Sequence, residues 1–243
     1  MNREEKEQGL SKLALQILAM LTMLIDHIGA DLYPGAVLLR CIGRLAFPIF
    51  AFFIAEGCER THDMRRYIGR MLAFALISEI PFDFSHGNMW DMEHQNVMWT
   101  FLIAMLCICT VKRLHPKGKN MLGAVLTLLI AAAGFALGEL IRCDYGGWGV
   151  WTVLLFWGCR GRSWRYSAEL AGMFGIHWRT AIASLCMEGK WLIPIQGLCL
   201  FALPFLWLYR GKKGYQSRAV QYICYAFYPA HLLVIGLIAG FVR

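Results

Sequence analysis

Charge is scarce in this sequence. Only 16% of its 243 residues are Asp, Glu, Lys or Arg, against about 25% in soluble domains. Hydrophobic residues make up 58%, and mean hydropathy is +0.49. A single soluble core cannot hide that much apolar surface, and so apolar a chain does not stay disordered. Motifs are missing too. None of the nine cysteines forms a CxxC pair, and most lie in apolar runs, so buried free thiols are expected rather than a disulfide framework or zinc site. There is no HExxH, no serine-nucleophile turn and no Walker loop. The dense acidic pattern of a magnesium-dependent lipid-phosphate transferase is absent. No metal is expected.

What remains is a series of long apolar runs. A spanning helix needs about 20 mostly apolar residues. Runs fall at 13–31, 36–58, 67–85, 96–111, 121–141, 147–159, 167–187, 191–209 and 219–242. They predict an all-α, polytopic membrane helical bundle of about nine (8–10) transmembrane helices. The layout is a polar cytoplasmic segment, 1–12, followed by one transmembrane domain, 13–243. The first run leads into Asp26-His27 rather than a small-residue cleavage site, so it reads as a retained helix. The stretch 142–190 is the least regular: Glu169, His177 and Arg179 interrupt it.

The net charge of +8 sits mostly in clusters between runs: Arg3 to Lys12, Arg60 to Arg70, Lys112 to Lys119, Arg160 to Arg165, and Arg210 to Arg218. With a cytoplasmic N-terminus and alternating sides, all five clusters fall inside, and the loop SHGNMWDMEHQ, which has no Lys or Arg, falls outside. A multi-pass protein of the bacterial cell membrane is expected, with membrane lipids as partners and no nucleic acid. Trp90, Trp99, Trp148, Trp151 and Trp191 suit interface anchors.

Ionisable residues inside these runs stand out, because each costs about 2.5–3.5 kcal/mol on insertion scales. His27 lies in helix one, where an imidazole can act as a general base or carry an acyl group. Asp26 sits about 100° away round the helix, so its side chain diverges from the ring unless the helix breaks at Gly29. Glu56 or Glu79 could orient the imidazole instead. A buried His-Asp pair that only locks packing is the plain alternative.

Arg40 and Arg44 share one helix face and demand an anion, unless Arg40 snorkels to the interface. Pro48 can bend the same helix around a cavity. Arg65, Arg66, Tyr67 and Arg70 form a basic loop into helix three, which ends near Glu79 and Asp83. That loop suits a polyphosphate, a topology signal or anionic lipid. His231, in the last helix, reads as a hydrogen-bonded packing residue. Asn96 to Thr100 and Asp144-Tyr145-Gly146 read as caps and turns.

The stretches LTMLIDHIG, GRLAFPIFAFFIAEG, ERTHDMRRYIGRM, ALISEIPFDF, NVMWTF, DYGGWGV and YAFYPAHL occur in that order over nearly the whole chain. On them the sequence resembles the TraX family of integral membrane proteins, named for pilin N-acetylation in conjugation systems. That family in turn is similar to the transmembrane acyltransferases, including the acyltransferase type 3 and heparan-α-glucosaminide N-acetyltransferase groups. The resemblance implies that His27 is the essential intramembrane histidine and that the Phe-Pro-x-Phe segment lines the reaction cavity. It implies that acyl-CoA enters from the cytoplasm near Arg66, Tyr67 and Arg70, and that His231 matches a histidine of the closing helix.

The expectation is an acyl-CoA-dependent acyltransferase that moves acetyl from cytoplasmic acetyl-CoA to an amine or hydroxyl at the outer face. The acceptor is a protein N-terminus, a glycan or a small amine. His27, Asp26, Arg44 and Glu56 are the catalytic candidates. Arg66, Tyr67 and Arg70 are the acetyl-CoA candidates; Arg40, Glu79, Asp83 and His231 are those for substrate. A proton-coupled transporter and a structural subunit of a conjugation or secretion assembly are the alternatives.

Overall fold

The computed structural model describes residues 9–87, 91, 93–114, 121–188, 193–212, 214–215 and 217–242. The first eight residues, with Arg3 and Lys6, lie outside the described residues. So do Trp90, Lys117, Lys119, Lys190, Trp191 and Lys213.

Helix α1 (Lys12–His27) starts where the Ser11 hydroxyl accepts from the Ala14 amide at 3.2 Å. Just beyond His27 it widens into a π-turn, Ile28–Leu32. The second apolar run is broken in two, α2 (Val37–Gly43) and α3 (Ala46–Arg60). The break falls at 44–45, and Pro48 sits in the first turn of α3, where no intrahelical N–H is needed. Helix α4 (Met64–Ser85) is capped by Asp63, which accepts from the Arg66 amide at 3.0 Å. Then come α5 (Val97–Leu114), α6 (Met121–Leu140) and α7 (Gly146–Cys159). Helices α8 (Arg165–His177) and α9 (Arg179–Glu188) are split at Trp178. A 3-10 segment, Ile195–Ala202, continues into α10 (Leu203–Leu208), and α11 (Arg218–Val242) closes the bundle. Among the described residues there is no strand, only isolated bridges at Leu10–Tyr209 and Gln95–Cys143.

The all-α membrane bundle is as expected, and every predicted run is helical. Among the described residues, five stretches rather than nine are long and apolar enough for a full crossing: Lys12–Leu32, Val37–Arg60, Val97–Leu114, Met121–Leu140 and Tyr222–Phe241. Helix α4 is long enough but carries Arg70, Glu79 and Asp83. Helix α7, with 14 residues, rises about 21 Å, short of a hydrocarbon core about 30 Å thick. Helices α8 and α9 and the 195–208 segment are as short or shorter.

Helices α3, α5 and α7 pack at the centre, with α1 against α3, α4 against α11, and α6 against α7. Their buried residues include Leu15, Ile49, Met105, Ile108, Val153 and Phe156, joined in one apolar cluster. Helix α6 shows the opposite pattern. Its buried positions are Gly123, Gly134 and Gly138, while Leu122, Val125, Leu128 and Leu129 are exposed. A glycine face lets two backbones approach closely, as in lipid-embedded helix pairs.

Candidate functional site

The C-terminal end of α1 sends two neighbouring side chains in different directions, as the helical angle required. Asp26 turns towards α2. Its Oδ2 pairs with Arg44 Nη2 and lies 2.9 Å from Arg40 Nη1. The carboxylate can reach them because position 43 is glycine: a Cβ there would collide with the Asp26 side chain. Arg44 also donates to Gln196 Oε1 at 2.8 Å, and Arg40 Nη1 to the Asp26 carbonyl at 3.1 Å. Asp26 and Arg44 are buried; the Arg40 side chain is one-third exposed. The two guanidiniums thus share one carboxylate, which leaves the cluster formally cationic.

His27 turns towards α11. Its Nδ1 lies 2.8 Å from His231 Nε2, and His231 Nδ1 lies 2.7 Å from the Phe227 carbonyl. A carbonyl can only accept, so His231 Nδ1 carries a proton. With both rings neutral, His231 Nε2 accepts and His27 Nδ1 donates; this tautomer follows from the network. The His27 Nε2 lone pair is then left unprotonated.

Both groups face one cavity of about 130 Å³. Its wall includes Asp26, His27, Arg40, Arg44, Phe47 and Phe50, with Tyr145 and Tyr228. The Phe47 ring stacks on Tyr145 at a centroid distance of 3.7 Å.

Two further cavities share walls with this one. Phe50, Met98, Phe101 and Cys224 separate it from a space of about 480 Å³ whose rim carries Lys12, Arg60, Tyr67 and Arg70. Arg44, Asp144 and Tyr145 separate it from a space of about 350 Å³ lined by Glu139, His177, Arg179 and Gln196. The three lie in series, with His27 and Arg44 at the middle one and a basic rim at one end. Near the other end, Asp144 Oδ1 lies 3.7 Å from His94 Nε2. That contact holds the His94 pKa above its ordinary value.

Several expected roles need correction. Glu56 does not orient the imidazole. It lies twelve residues beyond Arg44, about 18 Å along a helix, and its Oε1 pairs with Arg60 at 2.9 Å while Oε2 accepts from the Tyr209 hydroxyl at 3.1 Å. Glu79 does not orient it either. Its Oε1 accepts from Trp99 Nε1 at 2.6 Å and Asn96 Nδ2 at 2.5 Å, tying α4 to the start of α5. Asp83 accepts from the Asp91 amide at 2.9 Å. Neither Glu79 nor Asp83 lines the central cavity. Arg66 is 82% exposed, pairs with Asp63 and lines none of the three cavities. Tyr67 and Arg70 do line the basic one, with Arg70 over the Tyr67 ring at 5.7 Å.

His231, a packing residue and a substrate candidate on the sequence, is placed behind His27 as its ring partner and does not line the central cavity. Asp144 and Tyr145 read only as a turn, and they also wall the cavity. Gln196 carried no signal. No group of three or more His, Cys, Asp or Glu placed to hold a metal occurs among the described residues.

Buried ion pairs within long apolar helices, around cavities in series, define a multi-pass α-helical membrane protein. The chain belongs to the TraX protein family, whose profile matches residues 11–239. It is 26% identical to a protein of Dichelobacter nodosus named "Probable fimbrial assembly protein FimC, serogroup H1", over 93% of this chain and 94% of that one. It is 54% identical to the "Uncharacterized protein RP591" of Rickettsia prowazekii (strain Madrid E) over 39 residues, 16% of each chain. No solved structure matches.

Proposed function

We propose that this protein is an acyl-CoA-dependent acyltransferase of the bacterial cell membrane. It moves an acetyl group from cytoplasmic acetyl-CoA to an amine or hydroxyl at the outer face. The observation that carries this reading is a basic-rimmed cavity that shares the wall of Phe50, Met98, Phe101 and Cys224 with the cavity His27 faces. The positive charge in the clusters around 3–12, 60–70, 160–165 and 210–218 favours a cytoplasmic rim and N-terminus. CoA is too large and charged to cross the bilayer, whereas an acetyl group is small.

The chemistry follows from the groups in the wall. The acceptor nitrogen or oxygen attacks the thioester carbon while its proton passes to His27 Nε2. The C–S bond then breaks, and the imidazolium returns the proton to the CoA sulfur. An acetyl-His27 intermediate uses the same atom in two steps. Arg40 and Arg44 face the cavity as donors for the oxyanion, and one well-placed donor is worth about 2.7–4 kcal/mol. His231 keeps the His27 ring in the competent tautomer. Lys12, Arg60 and Arg70 face the CoA phosphates at the rim.

A second reading rests on the named relative. A fimbrial assembly protein matched end to end favours a structural role in a pilus-type assembly more directly than it favours catalysis. A carrier is the third reading, since buried His, Asp and Arg also make proton relays. One experiment separates them. Purified protein is incubated with radiolabelled acetyl-CoA and membrane extract. Label transfer that disappears in His27→Ala supports the transferase. Absence of transfer, with normal assembly by His27→Ala in cells, supports the structural subunit. Acceptor uptake into CoA-free liposomes supports the carrier.

A further inference from the structure

A fourth cavity, about 220 Å³, lies beside the basic rim but outside the row. The end of α3, the turn from α7 to α8 and the chain after α10 enclose it. Four arginines line it: Arg60, Arg160, Arg165 and Arg210. It holds two carboxylates, and both are engaged. Glu56 pairs with Arg60 and accepts from Tyr209. Glu169 lies 3.0 Å from Arg165 Nε and accepts from Trp207 Nε1 at 2.8 Å. The nearby Glu59 is held by Lys112 Nζ at 2.7 Å and by Trp157 Nε1.

Among the described residues, Arg160 and Arg210 make no ion pair with a carboxylate. Arg160 Nη1 is buried and makes no hydrogen bond, and Arg165 Nε makes none despite its ion pair. Buried donors left unmade are costly, and guanidinium forks match phosphate oxygens. The floor is kept open by Gly211 at φ +77°, where a Cβ would approach Arg60 Nη2 to 3.1 Å. The volume exceeds several times the roughly 30 Å³ share of one water in the liquid.

We propose that this pocket is a binding site for a phosphate-bearing anion of about diphosphate size. Two sources share that chemistry, a soluble phosphorylated metabolite and a phospholipid headgroup. Neither His27 nor Arg44 touches the site, and of its four arginines only Arg60 also lines the basic cavity of the row.

The test titrates inorganic pyrophosphate into full-length protein in phosphatidylcholine nanodiscs and reads heat. Saturable binding is expected, with Kd rising about tenfold or more in Arg160→Gln and unchanged in His27→Ala and Arg162→Gln. Arg210→Gln, on an exposed segment, carries the same expectation if Arg160→Gln fails to fold. Repeating the titration with phosphatidylglycerol in the disc separates the sources. A weakened pyrophosphate affinity identifies the headgroup as occupant; an unchanged one identifies a soluble ligand. Absence of saturable binding, or equal loss in Arg162→Gln, overturns the proposal.

Discussion

His27 and His231 lie 204 residues apart in the chain and meet ring to ring, Nδ1 to Nε2, at 2.8 Å. The carbonyl of Phe227 sets the tautomer of the second ring, and through it the first. Helix α11 thus decides which nitrogen of His27 faces the cavity.

From this it follows that the two histidines differ in weight. Removing a general base costs about 10²–10⁴-fold in rate, and His27→Ala should lose that much acetyl transfer. His231→Ala removes only the orienting partner, and by analogy with partners that orient metal-bound histidines it should cost about 10–100-fold. It should also move the pH profile of kcat/KM, which a purely structural defect leaves in place. Equal, pH-independent losses would count against the pairing.

Gly43→Ala should destabilise the protein by about 1–3 kcal/mol, the usual cost of overpacking. The added methyl strikes Asp26, the counter-charge of Arg40 and Arg44. Asp26→Asn should cost more, about 3–5 kcal/mol, because it leaves two guanidiniums short of a partner. Denaturation in a fixed detergent measures both; the reverse order would contradict the ion-pair assignment.

Cys224 lines both the central cavity and the basic one. A small maleimide should label it, and saturating acetyl-CoA should slow that labelling several-fold, read by peptide mass spectrometry. Labelling indifferent to acetyl-CoA would mean the thioester does not pass this wall.

The His94–Asp144 contact has a defined pH signature. Its folded pKa is raised, so its stabilisation is fully present below the unfolded value near 6.5 and is lost as pH rises through the folded value. The pair is partly exposed, with side chains 48% and 32% accessible, so the effect is only a few tenths of a kcal/mol. Thermal midpoints from pH 5 to 8 should fall slightly for the native chain and less for Asp144→Asn.

The sequence made the helices legible because apolar runs are continuous and their boundaries are charged. It pointed to 142–190 as irregular, through Glu169, His177 and Arg179, but not to the break itself, since α8 and α9 part at Trp178 without any Pro or Gly there. The shared face of Arg40 and Arg44 was legible from their spacing. Their anion was not: Asp26 reaches them only because Gly43 leaves room, a contact between two helices. Glu56 looked like a partner for His27 because it is a carboxylate within another apolar run, yet the helical rise carries it about 18 Å beyond Arg44, where it pairs with Arg60. The four-arginine pocket was read as topology charge, since its members come from three separate segments.

Acyl transfer as proposed requires an acyl thioester to reach His27 from the basic rim. A structure of the wild-type protein with bound CoA would show its route. Pantetheine should thread past Phe50 and Cys224, with its sulfur end within reach of His27 Nε2, about 3–3.5 Å for the reacting atoms. CoA bound away from this wall, or an imidazole closed off from it, would rule out thioester delivery to His27.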